Sequence, residues 1–403
     1  MSMTTARPAV PSVGLASTLA VHGGTPVSAS PVPFMLPKLA EADIAAATAV
    51  LHSGMLRAAK KCEELETRIA QLSGAKHAMT CANGTCALQL AYEPLFQPGD
   101  DILVPAWSYI ATAAMLVARG CNPIFVDANP QTGQIDMADA ARRITPKTRG
   151  IAATHMYGCP VDIDAVQSLA SAKGLKVVYD AAQAHLSTWH GKGIGQFGDA
   201  VTYSFYATKN LATGEGGMTT CNDDALARQI RLLRSHGETN KYLHEQVGYN
   251  YRMNDIAGAI GCSRLDRLPA ETDARRAAAK RYEQIIASTP AIARSLRALS
   301  ITPGAVSAYH LFTIKLDLST LTVSRDEFAK ALLAEGVPNA VHYPRSLPQQ
   351  PAFAKHLGNQ KPWPVAEDFA LSVLSLPMHH GLTDAHFGVV AEALAKVCTA
   401  YAR

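Results

Sequence analysis

From about residue 60 to residue 221, short β-type runs alternate with helical patterns, and that alternation leaves few folds open to the chain. Residues 101–104 (DILV) have strand composition, and 111–119 behind them have helical spacing. A second strand at 123–126 precedes a polar helix over 136–143, and a third at 151–154 precedes a helix over 162–173. Residues 175–179 (LKVVY) form a fourth, and 201–205 and 218–220 follow as strands with no long helix between them. Repeated βα units predict an α/β fold whose large, mainly parallel sheet is covered by helices on both faces. In such sheets ligands bind beyond the carboxyl ends of the strands, so chemistry is expected in residues that close a strand or follow it.

Residues 223–235 predict a helix with Asn222 as N-cap. From about 264 the pattern changes to a helix over 270–288, a strand over 311–316 and a helix over 324–335, as in an α+β domain. The expected organisation is a partly flexible lead-in over 1–30, a large domain over 31–265 and a small C-terminal domain over 266–403. With 403 residues, 48% of them hydrophobic, the chain has material for both.

A formal net charge of +4 over this length gives no footprint for nucleic acid. The 8 cysteines are scattered with no C-x-x-C pair, and read as reduced core thiols in a cytoplasmic protein. Residues 1–19 carry only Arg7 as a basic residue and are broken by Pro8 and Pro11, a poor signal peptide. The apolar run 110–118 is too short to span a bilayer. No metal-ligand spacing is found.

The strongest local constellation is Ser204-Phe205-Tyr206-Ala207-Thr208-Lys209-Asn210, which ends a strand and leads into Gly214-Glu215-Gly216-Gly217. A lysine desolvated there has a lowered amine pKa and becomes a Schiff-base nucleophile, whereas a lysine in an ordinary loop is solvated. Asp180 closes the 175–179 strand. A carboxylate in that place can pair with a protonated pyridine nitrogen, or it can cap a helix or face solvent in a loop. Gln183 stands three residues on, within reach of a cofactor's phenolic oxygen. His185 and His190 read as local hydrogen-bonding groups. Asn83-Gly84-Thr85 opens a helical run and suits a phosphate, and Tyr109 could stack on a flat heterocycle or simply be structural. Gly193-Ile194-Gly195-Gln196-Phe197-Gly198 matches G-x-G-x-x-G, but a β-type run follows it where a dinucleotide site needs a helix. Arg231, Arg234 and His236 share a helix end and read as mostly structural.

These motifs resemble the DegT/StrS-type sugar aminotransferases. The resemblance is carried by Asp180-Ala181-Ala182-Gln183-Ala184-His185, the Ser204 to Asn210 run with Gly214-Glu215-Gly216-Gly217, Gly248-Tyr249-Asn250-Tyr251-Arg252-Met253 and His342-Tyr343-Pro344, in the family's order. It implies an aspartate-aminotransferase-like fold, the type I PLP-transferase fold, working as a homodimer with shared active sites. It implies pyridoxal 5'-phosphate as cofactor, carried by Lys209, with Asp180 at the pyridine nitrogen, Gln183 near the phenolic oxygen and Tyr109 against the ring. Gly84, Thr85 and Ser204 match the phosphate cradle, and Asn250 would reach the phosphate held by the partner subunit. Lys209 would also move the proton as general acid–base. Members move an amino group from glutamate or glutamine to a keto-sugar or cyclitol. Related sugar dehydratases carry histidine at the lysine position, and a regulator could retain the fold without catalysis. The chain departs from the family at Arg57, Lys60 and Lys61, in a stretch often glycine-containing, and at Tyr179, which replaces an acidic residue. Gly23-Gly24-Thr25-Pro26-Val27 resembles some inosose aminotransferases.

Overall fold

The computed structural model describes residues 18–36, 38–360 and 362–403, so the first 17 residues of the expected lead-in lie outside it. Seven strands form the main sheet: β1 (His77–Cys81), β2 (Asp101–Pro105), β3 (Asn122–Val126), β4 (Thr148–Thr154), β5 (Lys176–Asp180), β6 (Ala200–Ser204) and β7 (Gly217–Cys221). Their order is β1-β7-β6-β5-β4-β2-β3. Neighbours from β3 to β6 pair in parallel, and β7 runs antiparallel to both β6 and β1. The parallel pairs from β3 to β5 are reached through crossover helices, whereas β5 reaches β6 through residues 181–199, which hold no α-helix. β6 and β7 have no helix between them, and a short connection can only turn the chain back on itself.

The first nine α-helices are α1 (Glu41–Ser53), α2 (Lys60–Ser73), α3 (Gly84–Leu95), α4 (Ile110–Ala118), α5 (Met137–Arg142), α6 (Ile163–Lys173), α7 (Asp224–Arg234), α8 (Asp255–Leu265) and α9 (Leu268–Ser288). Both faces of the sheet are covered. Val104 and Val178 enter one core with Leu88, Trp107 and Ile230, while their neighbours Leu103 and Val177 enter the opposite one with Leu65, Ile151 and Val201. Alternation along each strand sends successive side chains to opposite faces, so a strand buried on both must be apolar throughout.

One cap differs from expectation. Asp223, not Asn222, caps α7, its Oδ1 accepting from Leu226 N at 2.7 Å. Asn222 instead accepts from Lys76 N at 2.8 Å and donates to Gly195 O at 3.0 Å, joining β1 to the G-x-G-x-x-G stretch. Two good capping residues stand in tandem here, and the tertiary contacts of the first leave the cap to the second. The glycines of that stretch serve packing. A Cβ on Gly193 would lie 2.3 Å from Ser73 O, and one on Gly198, at φ +72°, would lie 2.9 Å from the Tyr179 ring. Arg231 and Arg234 are structural, as read: both pair with Glu66 of α2, at 3.0 and 2.7 Å.

C-terminally, β8 (Leu296–Ala298), β9 (Phe312–Leu316) and β10 (Val373–Leu376) form an antiparallel sheet in the order β8-β9-β10. Its core gathers Tyr282, Phe312, Phe328 and Val390, and takes in Leu19 and Val32 from the start of the described chain. Phe353, Trp363 and Phe369 reach back to pack with Phe125 and Trp107 in the first core. None of the described helices is long and apolar enough to cross a membrane.

Candidate active site

Asp180 is the last residue of β5 and only 5% exposed, which rules out a solvated loop carboxylate. Its Oδ2 accepts from Thr112 Oγ1 at 2.7 Å and its Oδ1 from Ala182 N at 3.0 Å. Thr112 is itself held by Ser108, 3.0 Å away, which also meets Thr154 at 2.9 Å. Burial pushes the Asp180 carboxyl up, while Thr112, Ala182 and the charge of Lys209 pull it back. The site therefore contains a buried carboxylate whose nearest cation is the lysine.

Lys209 lies in the connection between β6 and β7, which is gripped at both ends. Phe205 N donates to Gly216 O at 2.7 Å, Thr213 N to Phe205 O at 2.8 Å, and Lys209 N to Tyr206 O at 2.8 Å. The Lys209 side chain is half-buried and borders a cavity, and its amine forms no hydrogen bond among the described residues. Burial lowers it to about 8, with the charge of Asp180 opposing. A solvated loop lysine would show neither feature, and this amine is set up as a nucleophile and base near neutrality.

Beside this pair, Asn83 caps α3 by accepting from Cys86 N at 2.9 Å, leaving the amides of Gly84 and Thr85 without an acceptor among the described residues. A Cβ on Gly84 would come within 2.8 Å of Ser204 Cβ, so glycine is what lets the helix start approach the end of β6. Free amides at a helix N-terminus beside a serine suit a phosphate. Gln183 is buried, its Oε1 accepting from Tyr157 N at 2.6 Å and its Nε2 donating to Tyr343 Oη at 3.2 Å, so one amide hydrogen remains for a ligand. Tyr157 accepts from Trp107 Nε1 at 2.9 Å and donates to His342 O at 2.5 Å. Tyr109 precedes α4 with its ring 57% exposed, 5.9 Å from that of Tyr343. Asn250 stands apart: it is exposed, its backbone bridges Ser235, and its side chain meets nothing among the described residues.

Several readings change here. His190 does hydrogen-bond locally, to Asp164 Oδ2 at 3.1 Å. His185 does not: both ring nitrogens are buried without a partner between the rings of Tyr203 and Phe205, and burial lowers its pKa to about 3. Tyr179 neighbours Asp180 in sequence but points to the other face, where it stacks on His155 at 4.9 Å. Its departure from the family therefore lies outside the site. Lys61 pairs with Glu64 at 2.7 Å, and Arg57 and Lys60 are exposed. Thr112, Tyr157 and the cavity residues Arg264, Glu271 and Arg275 were not singled out by sequence. A threonine in the first turn of the helix after a strand is the one signal that could have flagged Thr112.

The cavity, about 520 Å³, extends from Lys209 between Phe34, Met35, Leu36 and Leu39, the helices α8 and α9, and the C-terminal residues His310, His342 and His380. The residue set fits pyridoxal phosphate. The buried carboxylate lacks a full counter-charge, the amine is free, the amides are open, and the cavity leaves room for a substrate.

The sequence pattern described as the DegT/DnrJ/EryC1/StrS aminotransferase family matches residues 37–395. A UDP-N-acetyl-3-dehydro-alpha-D-glucosamine 3-aminotransferase of Acidithiobacillus ferrooxidans is 38% identical over 329 residues, 81% of this chain and 86% of that one. A pleiotropic regulatory protein of Geobacillus stearothermophilus is 36% identical over 340 residues, 83% and 88% of the two chains. The crystal structure of S. venezuelae DesV in complex with a ketimine intermediate superposes with a TM-score of 0.86 at 33% identity, covering 92% of this chain and 99% of that one.

Proposed function

Because the chain belongs to the DegT/DnrJ/EryC1/StrS aminotransferase family, we propose that it moves an amino group from glutamate or glutamine to a nucleotide-linked keto-sugar. It is a pyridoxal-phosphate-dependent transaminase of fold type I acting on a keto-sugar. The nucleotide on the acceptor, the donor, the residue roles, the two-domain division at about residue 265, the homodimer and a cytoplasmic setting are our reading. Unpaired cysteines throughout support the last of these.

The observation that carries the reading is the free amine of half-buried Lys209, its pKa lowered by desolvation, between Asp180 and a cavity. Bound pyridoxal phosphate supplies an electron sink for the bond broken at the donor carbon. Lys209 carries it, then takes the donor's α-proton and returns it as general acid–base. Asp180 holds the proton on the ring nitrogen, and Thr112 and Ala182 hold Asp180. The Gly84 and Thr85 amides and the Ser204 hydroxyl hold the phosphate, Gln183 offers its spare hydrogen to the phenolic oxygen, and Tyr109 covers the ring. A regulator would have no need to keep this set intact. The purified protein should be yellow, bleach with an amino donor and recover its colour with acceptor. A panel of nucleotide-linked keto-sugars, free keto-sugars and inososes tests the acceptor, and turnover confined to inososes would replace our reading with a cyclitol one.

Asn250, exposed and with no side-chain hydrogen bond among the described residues, completes the phosphate site of the partner subunit in this reading. Homodimers of Asn250→Ala and of Lys209→Ala should then each fail. The heterodimer, co-expressed with two tags and purified through both, should carry one complete site and about half the wild-type activity per dimer by symmetric counting. A heterodimer as inactive as its parents, or a chain that turns over as a monomer, would rule out shared sites.

A further inference from the structure

The cavity beside Lys209 carries charges that the chemistry above does not use. Arg264 of α8 lines it together with Glu271 and Arg275 of α9. Arg275 is held by main-chain carbonyls, its Nη1 donating to Met378 O at 2.9 Å, Tyr309 O at 3.3 Å and His310 O at 3.4 Å. Those contacts orient the guanidinium without neutralising it. Glu271, the one carboxylate in the lining, already has Arg267 Nε at 3.6 Å and His380 Nδ1 at 3.7 Å. The Arg264 side chain makes no hydrogen bond or ion pair among the described residues, and its Nε is buried without an acceptor.

The remaining polar lining does not change this balance. Burial keeps His310, His342 and His379 in the neutral form, His342 with its pKa at about 4. The cavity thus has a permanent positive surplus, centred on a guanidinium whose donors are unmatched, in the same chamber as the reactive amine. A half-buried cation without a counter-charge is costly, and a ligand that brings one carboxylate relieves that cost with charge-assisted hydrogen bonds.

Resting on the transaminase reading above, we infer that Arg264 binds the side-chain carboxylate of the amino donor, which makes glutamate rather than glutamine the preferred donor. A neutral amide would leave the guanidinium uncompensated. A sugar nucleotide's diphosphate would ask for more than one guanidinium with open donors, and among the described lining residues Arg264 is the guanidinium that makes no hydrogen bond, Arg275 being committed to main-chain carbonyls. Arg264 is in this account a specificity residue, distinct from the group that carries out proton transfer.

The test measures the donor half-reaction of the holoenzyme by its absorbance change, with glutamate and with glutamine, in wild type, Arg264→Met and Arg264→Lys. Wild type should favour glutamate. Arg264→Met should lose about 30-fold or more in kcat/KM for glutamate, while glutamine stays within about threefold, because only the charged partner loses its pair. Arg264→Lys should fall between them, since the point charge remains and the planar fork does not. Glutarate, an inert dicarboxylate, titrated calorimetrically into the holoenzyme, should bind wild type and not Arg264→Met. Retained glutamine turnover shows that the variant is folded. Equal losses for both donors, a wild type that prefers glutamine, or undiminished glutarate binding in Arg264→Met would overturn the assignment. If no amino donor reacts at all, the transaminase reading falls instead, and glutarate binding still decides whether Arg264 holds a carboxylate.

Discussion

Lys209→Ala is expected to abolish turnover, with a residual rate lower by about 10⁴-fold or more, while the protein still takes up pyridoxal phosphate. A positioned general acid–base is worth about 10²–10⁴-fold by itself, and this residue also supplies the covalent attachment. The cofactor's other contacts do not depend on the amine. In our reading they come from the start of α3, the ends of β5 and β6, and Gln183. The fold should not suffer either, because the amine makes no hydrogen bond whose loss would leave a buried partner unsatisfied, and its burial works against its charge. Borohydride reduction of wild type followed by peptide mapping should find the adduct on the peptide containing Lys209. An adduct on another lysine, or an alanine variant retaining more than a trace of activity, would remove Lys209 from its role.

For Asp180→Asn the expectation is a loss in kcat of about 10²–10³-fold, the size of effect seen when one preorganised electrostatic partner of a transition state is lost. Cofactor affinity should change little. The amide oxygen can still accept from Ala182 N, and the amide nitrogen can donate to the Thr112 hydroxyl if that hydroxyl turns from donor to acceptor, so the two contacts that hold the side chain survive. What disappears is the negative charge that keeps a proton on the ring nitrogen, and that charge matters most when electron density moves into the ring. The asymmetry is the test. Equal losses in cofactor binding and in rate would make Asp180 structural, and a wild-type rate would remove it from the reaction.

What the sequence made legible follows from where its information is local. Asp180 and Lys209 could be picked out because each closes or follows a strand, and strand ends can be read from a few consecutive residues. The helix beginning at Gly84 was visible for the same reason, as was the βα alternation. Contacts between elements were not. Thr112 reaches Asp180 across 68 residues, and its place in the first turn of α4 is the one local hint of that contact. Tyr179 looked like part of the site because it adjoins Asp180, but period-two alternation turns it into the opposite core. Asn222 and Asp223 are equally good caps, and only the tertiary contacts of Asn222 decide between them. His185, expected to find a hydrogen-bond partner, ended among aromatic rings. The unpaired state of Arg264 is visible only once α8, α9 and the C-terminal residues enclose one cavity.

The position of β7 bears on how the protein is made. This strand is the last of the seven in the chain, yet it inserts between the first strand, β1, and β6. The residue after β1 that caps α3 lies directly against Gly217 at the start of β7, so close that a Cβ on that glycine would fall 2.3 Å from Asn83 O. The helix start at Gly84 and the end of β6 at Ser204 therefore come together only when β7 closes the gap, and no nascent chain that stops short of residue 217 can contain the assembled pocket. Until then β1 and β6 each present an unpaired edge to the cellular milieu, the kind of exposure that invites chaperone binding or aggregation during translation.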